Sequence, residues 1–181
     1  MTSMHKYGVK ACVFNAYGTL FVFAAATRGC RDMLVADLDK LTVLWRDKQL
    51  QYTWLRAIQG RHADFWQVTG DALDYALETL KIDRPSLRDR LMDLYLMLEP
   101  FPALPDVLPR FQASALTTAI LSTASPIFLY AAVRNPALPA LPHAFLLSAD
   151  VRFYNHASPV TRFPCPVTVL SPRHRFLLAS H

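Results

Sequence analysis

The sequence predicts an α/β fold in which an inserted helical cap interrupts a Rossmann-like, three-layer core. Three observations carry this. Residues 9–14 (VKACVF) form a short apolar run that ends in the loop-like stretch N-A-Y-G-T. From about residue 32 the apolar residues recur at helical spacing over a long stretch. After Pro100, Pro102 and Pro105, helical and strand-like segments alternate. On this division residues 1–20 and 100–181 make the core, and residues 21–99 the cap. A chain of 181 residues has room for one core domain and a modest insertion.

Each element follows from its local pattern. Residues 9–14 read as a buried strand, because a strand covered on both faces is apolar throughout. Leu34, Leu38, Leu41 and Leu44 or Trp45 recur at three- and four-residue spacing, as do Leu50, Trp54 and Ile58, which predicts helix. Residues 64–80 repeat the pattern through Phe65, Val68, Leu73, Ala76, Leu77 and Leu80. Asp83 or Ser86 is expected to open the next helix, with Leu87, Leu91, Leu94 and Tyr95 facing inward. Beyond the prolines, residues 106–113 are helical in pattern and residues 116–121 (LTTAIL) read as a second strand. Ala144–Leu147 and Arg175–Ala179 are expected as the third and fourth strands.

Composition narrows the class. With 52% hydrophobic and 18% charged residues, a buried core is affordable and wholesale disorder is excluded. No run approaches the roughly 20 apolar residues a membrane helix needs, and no leader peptide is expected at the N-terminus. Cys12, Cys30 and Cys165 are far apart in sequence and lack metal-ligand spacing. They suit a reducing cytoplasm and no disulfide scaffold.

The net charge of +5 invites a nucleic-acid partner, but its distribution argues otherwise. Residues 1–106 balance thirteen Lys/Arg against thirteen Asp/Glu. Six arginines against Asp150 alone make the excess in residues 107–181, scattered and not interleaved with aromatic residues. That half also holds no glycine, while twelve of the thirteen prolines fall at or after Pro100. Turn chemistry and fold pattern disagree there.

Three segments, VKACVFNAYGTLF, LWRDKQLQYTWLRAIQGRHADFWQVTGDALDYAL and AILSTASP, are similar to signature stretches of the haloacid dehalogenase superfamily, type II, the L-2-haloacid dehalogenases. The resemblance covers residues 7–135 well and continues thinly through LLSADVRFY and RFLLAS. It implies the haloacid dehalogenase fold and hydrolysis of a small 2-haloalkanoic acid. An aspartate after the first strand displaces halide from C2, and water then cleaves the ester to give the inverted 2-hydroxy acid. No cofactor and no metal are implied, since no phosphoryl charge must be neutralised. Tyr17 stands where the phosphatases of the superfamily carry their acid, which fits a leaving halide that needs no proton.

Carried over residue by residue, the resemblance gives Asn15 the nucleophile's position and Thr19 the threonine that orients it. Arg46 matches the cap arginine that meets substrate and receives halide, a task suited to a fixed cation. Ser122 matches the serine that binds the substrate carboxylate. Tyr17, Leu50, Phe65 and Trp66 would line the apolar wall, with Thr123 beside Ser122. Without the resemblance, Leu50, Phe65 and Trp66 would be read as core, Arg46 as a solvated helix face, and Thr19 and Ser122 as turn residues.

The chain departs from the pattern at several of these positions. Asn15 replaces the aspartate, and a neutral amide cannot form the ester. Asn155, in FYNHASP, replaces the lysine that balances the nucleophile. Thr123 replaces an asparagine, Thr161 a tyrosine, and Ala179, Ser180 and His181 fall on the family's Ser-Ser-Asn loop. The expectation is a dehalogenase-like hydrolase with impaired or absent turnover. Two alternatives stand beside it: a non-catalytic binder of small carboxylates, and a truncated gene product without function. A homodimer formed through the cap is left open.

Overall fold

The computed structural model describes residues 9–34, 36–97, 99–113, 117–122, 144–147 and 175–179. Four strands form one parallel sheet: β1 (Val9–Asn15), β2 (Thr117–Ser122), β3 (Ala144–Leu147) and β4 (Arg175–Ala179), in the order β3-β2-β1-β4. The residues of β1 explain its central place. Cys12, Val13 and Phe14 are all buried, as a strand covered on both faces requires. Ala119 and Ile120 continue this core on β2. The helical segment that follows Pro102 runs over Leu104–Ala113 and includes Pro105 in its first turn. It buries Leu104 and Leu108 and sets Phe111 edge-on to Phe14, ring centroids 5.4 Å apart. It starts two residues earlier than the pattern predicts and contains Pro109.

Strand order fixes where a ligand would bind. From β1 the chain moves to β2 and β3 on one side, and β4 returns to the other side of β1. That reversal makes the carboxyl end of β1 a topological switch point, where open α/β sheets form their ligand crevice. Asn15 is the last residue of β1, and it pairs in register with Leu121.

The loop after β1 is tightly wound. The N–H groups of Leu20 and Phe21 both donate to the Ala16 carbonyl, at 2.9 and 3.0 Å. Gly18 adopts φ +80° here, a left-handed conformation that disfavours any side chain with a Cβ. Phe21 then pairs antiparallel with Pro100, and the Phe101 N–H donates to the Leu20 carbonyl at 3.0 Å. The insertion therefore leaves and re-enters the core on adjacent strands of chain.

Among the described residues the chain divides into two compact units, with boundaries at Val22/Phe23 and Glu99/Pro100. The unit made by Phe23–Glu99 is helical. In chain order its helices are α1 (Ala25–Arg28), α2 (Leu38–Ile58), α3 (Phe65–Thr79) and α4 (Pro85–Leu96), and the helix Leu104–Ala113 of the core unit is α5. Asp64 caps α3, its carboxylate accepting from the Trp66 N–H at 2.6 Å. Neither Asp83 nor Ser86 caps α4. Pro85 opens it at the first helical turn, where the missing N–H costs nothing, and Arg84 precedes it without a side-chain cap. Gly29 lets α1 approach α4, since a Cβ there would lie 2.9 Å from a Leu94 methyl.

The inner face of α2 includes Leu41 and Trp45 as expected and departs from the apolar pattern beyond them. Its buried residues are Leu41, Trp45, Gln49 and Thr53, four apart. Leu50 is only half-buried, while Trp54 is 54% and Ile58 84% exposed. Polar residues take the inward positions because each finds partners there. Thr53 donates to the carbonyl of Gln49 or Leu50, at 2.9 and 2.7 Å. On α4 Met92 is buried where Leu94 was expected.

Candidate active site

The sequence-predicted site residues fall into two groups, one in each unit. In the core unit, Asn15 is half-buried at the end of β1. Its Oδ1 accepts from the Ala16 N–H at 2.8 Å, and its Nδ2 lies 3.5 Å from the Tyr17 carbonyl. The first contact is a full hydrogen bond, and the second is at the outer limit of one. The carboxamide is thus oriented by the backbone of its own loop. Tyr17 is buried and Thr19 half-buried in the same turn. Ser122, fully buried, ends β2 one position beyond the partner of Asn15. The core unit therefore brings Asn15, Tyr17, Thr19 and Ser122 to the carboxyl ends of two adjacent strands. Thr123, Asn155 and Thr161 lie outside the described residues.

In the cap unit, Arg46 is half-buried on α2. Its Nη1 donates to the Gln49 Oε1 at 2.8 Å, and its guanidinium sits 5.1 Å from the centre of the Phe23 ring. Phe23 is itself braced edge-on by Trp45 and Tyr95, at 5.4 and 5.6 Å. Gln49 uses both amide hydrogens, donating to Thr69 Oγ1 at 2.7 Å and to the Tyr95 hydroxyl at 3.0 Å. Trp45 Nε1 donates to the Thr69 carbonyl at 2.9 Å. Burial pushes the Tyr95 phenol up to about 12, against the charge of Arg46 and hydrogen bonds with Gln49 and Thr69, which favour its ionised form. Phe65 is buried at the start of α3; Leu50 and Trp66 are half-buried.

Some arginines of this unit are paired with carboxylates, while Arg46, Arg84 and Arg90 donate to neutral acceptors instead. Arg28 pairs with Glu99 at 2.8 Å, Arg56 with Asp71 at 2.6 Å, and Arg88 with Asp74. Among the described residues no carboxylate pairs with Arg46, whose hydrogen bond goes to a neutral amide. Its charge is therefore available to an anion.

Phe23, Gln49, Thr69 and Tyr95 were not singled out in the sequence as site residues. Gln49 alone had a local signal, since it stands three residues after Arg46 and four after Trp45 on one helix. Among the described residues no group of three or more His, Cys, Asp or Glu is placed to hold a metal ion. No helix among them is long and apolar enough to cross a membrane.

No protein-family model matches the chain. It is 33% identical over 174 residues to "(S)-2-haloacid dehalogenase 4A" of Burkholderia cepacia, an alignment covering 96% of this chain and 75% of that protein. Against "(S)-2-haloacid dehalogenase 1" of Pseudomonas sp. (strain CBS-3) the identity is 36% over 158 residues, covering 87% and 70%. Among solved structures, that of a dehalogenase superposes with a TM-score of 0.87 at 34% identity, covering 95% of this chain and 76% of that one. The L-2-haloacid dehalogenase from Xanthobacter autotrophicus, solved with chloropropionic acid covalently bound, gives 0.82 at 33% identity, covering 94% and 69%. The sheet order, the inserted helical unit and these relatives lead to one conclusion: the chain belongs to the (S)-2-haloacid dehalogenases of the haloacid dehalogenase superfamily, hydrolases acting on carbon–halide bonds.

Proposed function

We propose that this protein binds a small 2-haloalkanoic acid as an (S)-2-haloacid dehalogenase does, and turns it over little or not at all. The observation that carries the reading is Asn15 at the carboxyl end of β1, its amide oxygen hydrogen-bonded to the Ala16 N–H at 2.8 Å. An aspartate in this place would attack C2 in line and expel halide. A carboxamide oxygen carries no negative charge and is a far weaker nucleophile. Asn155, in the lysine's place, removes a cation that would hold an aspartate ionised. In this reading Thr19 orients the group at position 15, Ser122 takes the substrate carboxylate and Arg46 takes the halide. Tyr17, Leu50, Phe65, Trp66 and Thr123 surround the alkyl chain.

The test is halide release from L-2-chloropropionate, with peptide mapping to verify that Asn15 is still an amide. Release stays at background. Turnover by protein shown to be fully Asn15 would remove this residue from the nucleophile's role. A second reading, a binder of small carboxylates without any chemistry, is favoured by Arg46 lacking a carboxylate partner among the described residues. Calorimetric titration with 2-chloropropionate tests binding apart from turnover.

A homodimer through the cap is part of the proposal. Val43, Trp54, Leu55 and Ile58, on α2, are all more than half exposed, an apolar face of the kind that marks an interface. Light scattering should give twice the mass of one chain, and Trp54→Glu should halve it. The buried free thiols of Cys12 and Cys30 support a reducing, cytoplasmic setting.

A further inference from the structure

We infer that Gln49 is the positioning residue of Arg46, holding the guanidinium in place without neutralising it so that a halide can. The inference rests on the reading of Arg46 as the halide-receiving cation. Gln49 is 1% exposed, in a helix stripe where Leu41 and Trp45 are its neighbours. An uncharged polar side chain in such a place is costly unless every polar atom is satisfied. Here each one is. Both amide hydrogens go to Thr69 and Tyr95, and the carbonyl oxygen accepts from Arg46. The three partners come from α2, α3 and α4, so the amide is fixed by three helices.

The partners also decide which polar residue fits. Thr69 Oγ1 already donates to the Phe65 carbonyl at 2.7 Å, so it can only accept from position 49. A glutamate is the same shape and could hold Arg46 at least as firmly, but it has no hydrogen to give Thr69. It would also cancel the guanidinium charge at contact distance. A leucine or methionine would fill the space and leave Arg46 unanchored on that side. Only an amide anchors the cation, satisfies Thr69 and leaves the positive charge uncompensated. Phe23 adds to the seat, since a ring face attracts the cation without neutralising it. A polar residue that breaks a core pattern, fully satisfied and bonded to a half-buried cation, has the mark of a functional support.

The experiment uses the full chain and chloride as the probe, read by ³⁵Cl line broadening. The fraction of broadening removed by Arg46→Ala defines the chloride held at Arg46. Gln49→Glu is expected to weaken that fraction by at least about tenfold while the chain still melts cooperatively, because a fixed like charge repels the incoming anion. Gln49→Met is expected to weaken it several-fold and to merge the Arg46 Nη resonances, which are resolved while the guanidinium is held. A structural role alone would lower the melting temperature and leave those signatures in place. Whichever variant melts cooperatively decides the matter. Chloride retained at Arg46 in Gln49→Glu, or Nη resonances still resolved in Gln49→Met, overturns the inference about Gln49. Broadening unchanged by Arg46→Ala overturns the reading of Arg46 itself, and with it this inference.

Discussion

The two units use polar side chains in opposite ways. In the helical unit they are buried and satisfy one another: Trp45, Gln49, Thr69 and Tyr95 form one hydrogen-bonded cluster across three helices. In the core unit the centre of β1 is apolar, and Asn15 and Ser122 stand where the strands end. The first arrangement holds a cation through Gln49. The second presents polar groups at a switch point and orients Asn15 through the backbone of its own loop. A change at position 15 therefore alters chemistry with little cost to packing, whereas a change in the helical cluster disturbs packing and the cation together.

The largest effect should come from opposite faces of one helix. Trp45 is fully buried, packed on Phe23 and Tyr95 and bonded to the Thr69 carbonyl; Trp54 is half-exposed. Trp45→Ala should cost about 3–5 kcal/mol in denaturant unfolding, and Trp54→Ala about 0.5 kcal/mol or less in the monomer. Equal costs would show that the buried stripe of α2 is not Leu41, Trp45, Gln49 and Thr53.

A smaller effect should appear at alkaline pH. The Tyr95 phenol is raised from 10.0 to about 12 by burial, so the folded state holds its proton more tightly than the unfolded chain does. Its contribution is full below about pH 10 and is lost as pH rises through about 12, amounting to roughly 2–3 kcal/mol. Stability measured across that window should fall, and Tyr95→Phe should flatten the fall while costing about 1 kcal/mol at neutral pH. An unchanged alkaline slope in Tyr95→Phe would place the titration elsewhere.

Legibility in the sequence followed the same division. The strands could be read because buried parallel strands are continuous apolar runs, and β3 and β4 begin and end where the pattern puts them. Asn15 and Ser122 were found through the resemblance, which placed them at the ends of strands that the pattern had already marked. Beyond Trp45 the inner face of α2 could not be read from apolar spacing, because Trp54 and Ile58 are apolar and exposed while Gln49 and Thr53 are polar and buried. The Gln49 cluster was invisible for a related reason. Its partners Thr69 and Tyr95 lie 20 and 46 residues away, and only the packing of three helices brings them together. Resemblance pointed to Arg46, and the three-residue spacing to Gln49 was the one local sign of what holds it.

The smallest effect is expected from the substitution that looks most decisive. Asn15→Asp supplies the missing carboxylate, and the Ala16 N–H remains to bond one of its oxygens. The other oxygen would replace Nδ2, which lies 3.5 Å from the Tyr17 carbonyl, and so would set two acceptors facing each other. Half-burial beside a carbonyl, with Asn155 unable to offer a cation, raises the carboxyl pKa and favours its neutral, unreactive form. Groups that act as one catalytic unit are strongly non-additive, so a single repair should return little. Halide release from L-2-chloropropionate by Asn15→Asp should therefore stay near background. If Asn155 holds the lysine's place as proposed, the double variant Asn15→Asp/Asn155→Lys should exceed it, because the added ammonium would ionise and position the carboxylate. Robust multiple turnover by Asn15→Asp alone would mean that the core unit needs only its nucleophile, and that Asn155 is no loss to this site.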